Sequence, residues 1–576
     1  MRLVPMGPIP GQPETPAPAT PLTPPPAAGP STPASDPDRP APSSVLTGPE
    51  VKVDPLKTPE FDGAGTLGDS EGGLGVRLWQ GTSRALVEQM LPKLPTNVSS
   101  PAMRALMRRL LLTQAAPPAG DSRGASLIVE RVRLLAAMGD QAGVTALLDA
   151  IPGRTGNPVL LRMETDVRFL GNDNARACST AAGQVREGRD VYWLKAFSFC
   201  QALAGETSKA QLALGLLREM DDKDPVFEQL MDRFAGAPPG PIESLRDPTP
   251  LHLAMARAAN VQLPKDVVGA STPGMLRTIA ISPNAPIDVR LDAAERAEQT
   301  GALPTEALRQ LYMGVSFTDQ DLANPLSKAE AESGPLSRAL LYRVAMIQTV
   351  PAAQAEPVAR ALALARRGGR YAPAVRVFLP ILKRIPATTD FLWLAPEAAR
   401  AALFAGDGET ARGWFAVLRA GAPADKEAAN ALAVLLPLAR LAGSPEGQGV
   451  QGADLLKWGA AIKDRDNART VAETFFTLYD LMVEPVPAEA WEPLLQSADR
   501  TPVPVAGAAL WARLDSAARD KRVGETVMLS LLALGEGGPG QAGAIALTRV
   551  LKALDAIGLK AETRALAVEA AIAVGL

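Results

Sequence analysis

The sequence predicts an all-α chain of helical hairpins stacked into a solenoid, preceded by an unstructured N-terminal segment. Three observations predict it. Apolar residues recur at spacings of three and four, as in Trp193, Phe197, Cys200 and Ala204, which is the period of one helix face. Alternating β-branched and aromatic runs, the mark of strands, are almost absent. One phrase, a helix ending in small residues, then Gly, then a second helix, returns at 134–152, 169–182, 199–219, 401–423 and 554–576.

The elements follow in chain order. Residues 1–50 contain 16 prolines and no aromatic residue. Such a stretch buries too little apolar surface to offset its ordering entropy, so a disordered tether with polyproline-II character is expected. The Gly-rich run to Gly75 is assigned to the same tether, giving residues 1–75. Helical periodicity starts near Trp79 and runs to Leu576, with Ala, Leu, Arg and Glu prominent. Pro and Gly fall mostly between periodic segments, where they stop helices. Thr249 followed by Pro250 reads as an N-cap with Pro at the first helical position. The stretch 235–250 is the strongest break. It divides the helices into an N-terminal arc, 76–238, and a C-terminal arc, 239–576. The stretches 281–288, 323–336 and 443–453 read as loops or kinks within the second arc.

In the recurring phrase, Gly permits the tight turn and a small residue about five positions later lets the second helix pack closely. Gly406, Ala411, Phe415 and Pro423, and likewise Gly205, Ala210 and Leu214, resemble the second half of a tetratricopeptide (TPR) repeat. The first-helix signature of that family is not clean in any copy, and units such as 301–312 are shifted by a residue. The resemblance covers about five units. It implies a TPR-like α-hairpin solenoid or superhelix, extended or curved, whose usual work is holding proteins or peptides. The tryptophans Trp414, Trp458, Trp491 and Trp511 are expected in hairpin cores rather than at a partner surface.

The two cysteines carry the sharpest positional signal. Cys178 and Cys200 each lie eleven residues from Arg189, in a turn predicted at 187–190. In an antiparallel hairpin, residues equidistant from the turn sit at one height. Cys200 shares a face with Trp193 and Phe197, and Cys178 with Ala182 and Val185, so both point between the helices. The spacing allows a disulfide; two buried free thiols are the alternative. A disulfide would imply an oxidising compartment. The N-terminal MRLVPMGPIPGQP has no apolar core of a signal peptide, and no apolar run is long enough to span a membrane. A Pro/Ala-rich tether nevertheless hangs from something. A true start upstream, or a lost signal or anchor, would place the chain in the periplasm or envelope; a cytoplasmic chain is the alternative.

The sequence carries few residues in catalytic or metal-binding patterns. One His excludes a multi-histidine metal site, and one His with two Cys leaves few zinc ligands. A net charge of -3 provides no global attraction for nucleic acid. Gly63–Gly68 matches GxGxxG but stands in a loop of an all-α chain, away from the strand and helix that a dinucleotide site needs. The acidic run 220–225 lacks the alternating ligands of a calcium loop and reads as a solvated turn. His252 reads as a surface or capped histidine near a helix start. No catalytic, cofactor-binding or metal-ligating residue is assigned, and no cofactor is expected. The expected function is a non-enzymatic scaffold or adaptor, with a protein or peptide partner on a solenoid surface and no nucleic acid or membrane span. A cell-wall-associated enzyme or enzyme activator, and a cytosolic TPR-like regulator, are the alternatives.

Overall fold

The computed structural model describes residues 61–122, 126–151, 156–188, 190–238, 240–495 and 507–576. Residues 1–60 of the tether expected over 1–75, Arg189 at the hairpin turn and Pro239 in the 235–250 break lie outside them. Among the described residues there are 28 α-helices and no strand, packed mainly as consecutive antiparallel neighbours. The chain is an all-α hairpin solenoid.

The recurring phrase is a hairpin each time. Examples are Leu127–Met138 with Gln141–Asp149, Val191–Leu203 with Thr207–Glu219, and Ala395–Phe404 with Gly408–Gly421. The turn residue is left-handed in every copy. Gly139, Gly205, Gly406 and Gly558 have φ of 76°, 78°, 68° and 90°, a region that glycine enters at least cost. The copy at 169–182 differs, because Asn172 at φ 63° takes the left-handed position instead of Gly171; asparagine is the next most tolerant residue there. Five residues beyond each of these turns stand Val144, Ala177, Ala210, Ala411 and Thr563, all buried. An aspartate directly after the turn caps the second helix in three copies. Asp140 accepts from Gly143 N–H at 2.9 Å, Asp173 from Arg176 N–H at 3.4 Å and Asp407 from Thr410 N–H at 3.1 Å.

Two sequence expectations need amendment. Pro357, Pro380, Pro437 and Pro493 lie inside helices, although proline removes a helix hydrogen bond. Pro357 and Pro437 are themselves buried, so tertiary packing sustains those helices. Residues 61–75 are also packed rather than part of a tether. The buried Arg131 guanidinium donates to the carbonyls of Asp62, Ala64, Leu111 and Thr113 at 3.0, 2.6, 2.7 and 3.1 Å. The Asp62 carboxylate accepts Ile128 N–H at 2.9 Å and pairs with Arg84. The glycines of the GxGxxG match allow this close approach: a Cβ on Gly65 would fall 2.4 Å from Gln114 N.

Residues 59–576 form one compact unit. The helix after the 235–250 break, Pro250–Ala258, packs back onto Pro158–Leu170 in the earlier arc. The first helices also meet the last. Pro101–Leu112 lies against Val523–Leu534 and Lys560–Ala573. Gly524 N–H donates to Leu78 O at 2.9 Å, Ala102 N–H to Glu569 at 2.9 Å, and Arg109 pairs with Glu562. The described helical unit is therefore closed on itself, with its first helices packed against its last.

Buried carboxylates lock helices from separate hairpins together. Glu298 receives Arg376 at 2.7 and 2.9 Å and Thr305 at 2.7 Å. Glu295, one turn earlier, receives Tyr312 at 2.6 Å and Arg338 at 2.7 Å. Paired guanidinium donors of this kind satisfy a carboxylate in fixed geometry. Removing one partner would leave a buried charge uncompensated.

Closure makes a specific prediction. A Cβ on Gly524 would lie 2.7 Å from both Leu78 O and the Trp79 ring. Gly524→Ala should destabilise the protein by about 1–3 kcal/mol in urea unfolding followed by circular dichroism. Gly183→Ala, at a helix-interior site with open space around it, should be neutral or stabilising by up to about 1 kcal/mol.

Candidate functional site

Cys178 and Cys200 are disulfide-bonded, with Cα atoms 5.5 Å apart. They join Asn174–Glu187 to Val191–Leu203, and no described cysteine is free. Cys200 is buried, as are Trp193 and Phe199 on the same helix, while Cys178 is half-buried. Phe169 meets Phe199 edge-on with centroids 5.8 Å apart, and Phe199 meets Phe234 at 5.7 Å. The staple therefore lies next to the aromatic packing of this region.

The stapled helix Val191–Leu203 also forms one wall of a polar cleft of about 300 Å³. The cleft gathers Arg162, Asp166, Tyr192, Lys195, Asp224 and His252. Asp224 caps Pro225–Phe234, accepting Phe227 N–H at 3.0 Å. Its second oxygen receives Lys195 Nζ at 2.9 Å and faces His252 Nε2 at 3.0 Å. Lys195 also pairs with Asp222 at 2.9 Å. Burial pushes Asp224 upward, but His252, Lys195 and the Phe227 amide together outweigh it and hold this carboxyl well below its usual range.

His252 is the N3 residue of a capping box. Its N–H donates to Thr249 Oγ1 at 3.1 Å, and its Nδ1 accepts Thr249 N–H at 3.4 Å. With Nδ1 as acceptor, Nε2 carries the proton and donates it to Asp224. The single histidine is thus the capped residue expected from Thr249-Pro250, buried rather than at the surface. The acidic run 220–225 is not wholly a solvated turn, because Asp222 and Asp224 reach Lys195.

Asp166 has a different setting. It accepts the Tyr192 hydroxyl at 2.7 Å, and the Arg162 guanidinium lies 4.3 Å over the Tyr192 ring. Burial dominates and pushes the Asp166 carboxyl up to about 6, despite opposing pulls from Tyr192 and Arg162. Tyr192 is raised in turn, by burial and then by Asp166. Sequence reading missed Asp166, Tyr192 and Lys195. Asp166 lies on Pro158–Leu170 and the other two on Val191–Leu203, with no diagnostic spacing between the helices; the polar pair at i and i+3 opening the stapled helix is the nearest signal. Among the described residues no group of three or more His, Cys, Asp and Glu side chains is placed to hold a metal ion.

An open groove of about 940 Å³ lies between Pro101–Leu112, Gln141–Asp149 and the turn at 300–304. Arg104, Arg108, Thr145, Arg277 and Ala302 line it. Arg108 is anchored to Asp140 at 2.7 Å. A smaller hollow of about 420 Å³ shares Gln141 and Thr145 and continues to Arg168 and Arg176. Trp414, Trp458 and Trp511 are buried and Trp491 is partly buried, so the tryptophans do belong to helix packing. No protein-family model, curated protein or solved structure matches this chain.

The staple encloses a sequence separation of 22 residues, so its loss should cost about 3 kcal/mol in the chain-entropy picture. Cys178→Ser/Cys200→Ser should melt earlier than the parent in non-reducing buffer and match it once both are reduced. Asp166 supplies the second prediction. Its folded pKa lies above the unfolded one, so the folded state holds the extra proton and stability falls as pH rises from about 4 to 6. Asp166→Asn should therefore stabilise the protein at pH 7 by about 1–2 kcal/mol, with the gain vanishing towards pH 4, as measured by urea midpoints across that range.

Proposed function

We propose that this protein is a non-enzymatic scaffold or adaptor that holds a protein or peptide partner in a bacterial cell-envelope assembly. The observation that carries the reading is the groove along Pro101–Leu112 and Gln141–Asp149. Its walls are helices fixed on both sides by hairpin packing and closure, and its lining combines three arginines with Asp140, Asp149 and small residues. That combination suits a chain segment that lies along helices, meets charge at intervals and tolerates close backbone approach. The disulfide supports a periplasmic or envelope location, since such bonds persist in oxidising compartments. The same bond weighs against a cytosolic regulator with free thiols. No helix among the described residues is long and apolar enough to cross a membrane, so attachment to an envelope assembly would run through a partner or through residues outside the helical unit.

The cleft around Asp166 gives the cell-wall enzyme reading its one foothold. It combines a carboxyl with raised pKa and a second carboxylate held ionised, a division of labour that acid–base hydrolases use.

Photo-crosslinking in cells separates the two. A crosslinker placed at Thr145 in the groove should yield one discrete protein adduct. The same probe at the exposed Leu212 should yield none. The identified partner should retrieve this protein in the reciprocal experiment. Purified protein should leave isolated cell wall intact. Wall hydrolysis that disappears in Asp166→Asn would replace the scaffold with the enzyme.

A further inference from the structure

Charge along the groove is unevenly distributed. Its floor is the exposed face of Gln141–Asp149, made of the small residues Ala142, Thr145 and Ala146. Its titratable lining is Arg104, Arg108, Arg277, Asp140 and Asp149. Gln141 opens the floor helix and Asp149 closes it, about 12 Å further along the axis. The three arginines gather at the Gln141 end, where two turns meet. A Cβ on Gly139 would fall 2.6 Å from the Ala302 Cβ, and a Cβ on Gly301 would fall 2.8 Å from Arg104 Nε.

Hydrogen bonds at this end hold the arginines in place without neutralising two of them. Asp140 is doubly committed: it accepts Gly143 N–H at 2.9 Å as the cap of the floor helix, and Arg108 Nε at 2.7 Å. Arg104 Nη1 donates to the carbonyls of Val98, Ser99 and Gln299 at 3.1, 2.7 and 2.8 Å. Arg277 Nη1 donates to the side-chain oxygen of Gln141. Among the described residues neither Arg104 nor Arg277 forms an ion pair, and their Nε and Nη2 groups have no acceptor and are not buried. The carboxylates that act on Arg104 at longer range are engaged elsewhere, Glu298 by Arg376 and Thr305, Glu569 by Ser100 and the Ala102 amide. In the adjoining hollow the charges pair with one another, Arg168 with Glu164 at 2.5 Å and Arg176 with Asp173 at 3.3 Å. Open guanidinium donors are therefore a local property of the Gln141 end.

We propose that this end of the groove anchors an acidic partner segment, whose aspartate or glutamate side chains accept from Arg277 and Arg104. The inference rests on the reading of the groove as the partner surface and adds the partner's chemistry. An arginine already fixed by one nitrogen keeps its other forked donors for a carboxylate, and fixing it beforehand reduces the entropy lost on binding. The small side chains of the floor let the partner backbone come close. Asp149 disfavours a second carboxylate at the far end, so the acidic residues of the partner are confined to the end beside Gly139.

Two measurements on the full chain test this. In fluorescence anisotropy, a labelled alanine–serine peptide carrying two adjacent glutamates should bind saturably, and its glutamine counterpart about tenfold more weakly or worse. Arg277→Gln should lose about tenfold in affinity for the glutamate peptide, and Arg277→Lys should retain most of it. Arg367→Gln, at an exposed arginine outside the groove, should match the parent. Affinity should also fall between about 0.1 and 1 M salt, as the Debye length shrinks from about 10 to 3 Å. No saturable binding, equal binding of the two peptides, or equal binding by the parent and a folded Arg277→Gln would overturn the proposal. A labelled oligonucleotide that displaces the glutamate peptide at lower concentration would assign the surface to nucleic acid and overturn it as well. If Arg277→Gln does not fold, the two peptides on the parent decide. In cells, Arg277→Glu should abolish the crosslinked adduct at Thr145. An adduct undiminished in Arg277→Glu sinks the acidic chemistry and leaves the scaffold reading standing, whereas a parent with no adduct removes both.

Discussion

Glu569 caps a helix whose N-cap residue, Ser100, lies 469 residues earlier in the chain. Its carboxylate accepts the Ser100 hydroxyl and the Ala102 amide at the start of Pro101–Leu112, where the unsatisfied N–H groups and the helix dipole favour negative charge. Much of the architecture depends on that closure. An open solenoid is held by nearest-neighbour interfaces, and its terminal repeats need polar caps. Here the terminal helices cover each other, and the centre of the unit is removed from water. Polar groups committed to that centre must then find partners inside it.

The interior charges follow from this constraint. Aromatics are only 4% of the chain, so large side chains cannot fill every junction between alanine-rich helices. Long arginines reach across the junctions and end on glutamates. Glu295, Glu298 and Glu525 are almost fully buried, and each is held by arginines, Glu525 by Arg513 and Arg522. Such pairs add little net stability compared with apolar packing, but they are costly to break from one side. They fix which hairpin meets which, in a chain whose alanine faces are otherwise much alike.

Local structure was legible in the sequence because it is written in near-neighbour residues. The hairpin turns follow from Gly139, Gly205, Gly406 and Gly558, and the buried position five residues later follows from helical geometry. Cys178 and Cys200 were placed by symmetry about a turn, which needs only one hairpin to be correct. Thr249-Pro250 marked a helix start, and His252 completed its cap. Closure was not legible, since it depends on superhelical twist summed over many hairpins. The same holds for Glu295 and Glu298, which in sequence look like ordinary solvent-facing residues of an alanine-rich helix. The cleft was hidden for a related reason. Asp166, Lys195 and Asp224 become neighbours only when three hairpins stack, and no spacing in one helix announces it.

The position of the disulfide follows from the same contrast between local and long-range contacts. Helices near the centre, such as Pro101–Leu112 and Lys560–Ala573, touch several others distant in sequence. Thr207–Glu219 has its one extensive helix contact with its hairpin partner Val191–Leu203. It buries only Ala210, Ala213 and Leu217 among its apolar residues, and leaves Leu212 exposed. This edge of the unit gains little from closure, so its local opening free energy is set by its own few interfaces. A covalent link between Asn174–Glu187 and Val191–Leu203 raises that free energy at this edge. It also fixes the helix that presents Tyr192 and Lys195 to the cleft. The staple thus takes over, at one edge, the role that buried arginine–glutamate pairs and closure perform elsewhere in the unit.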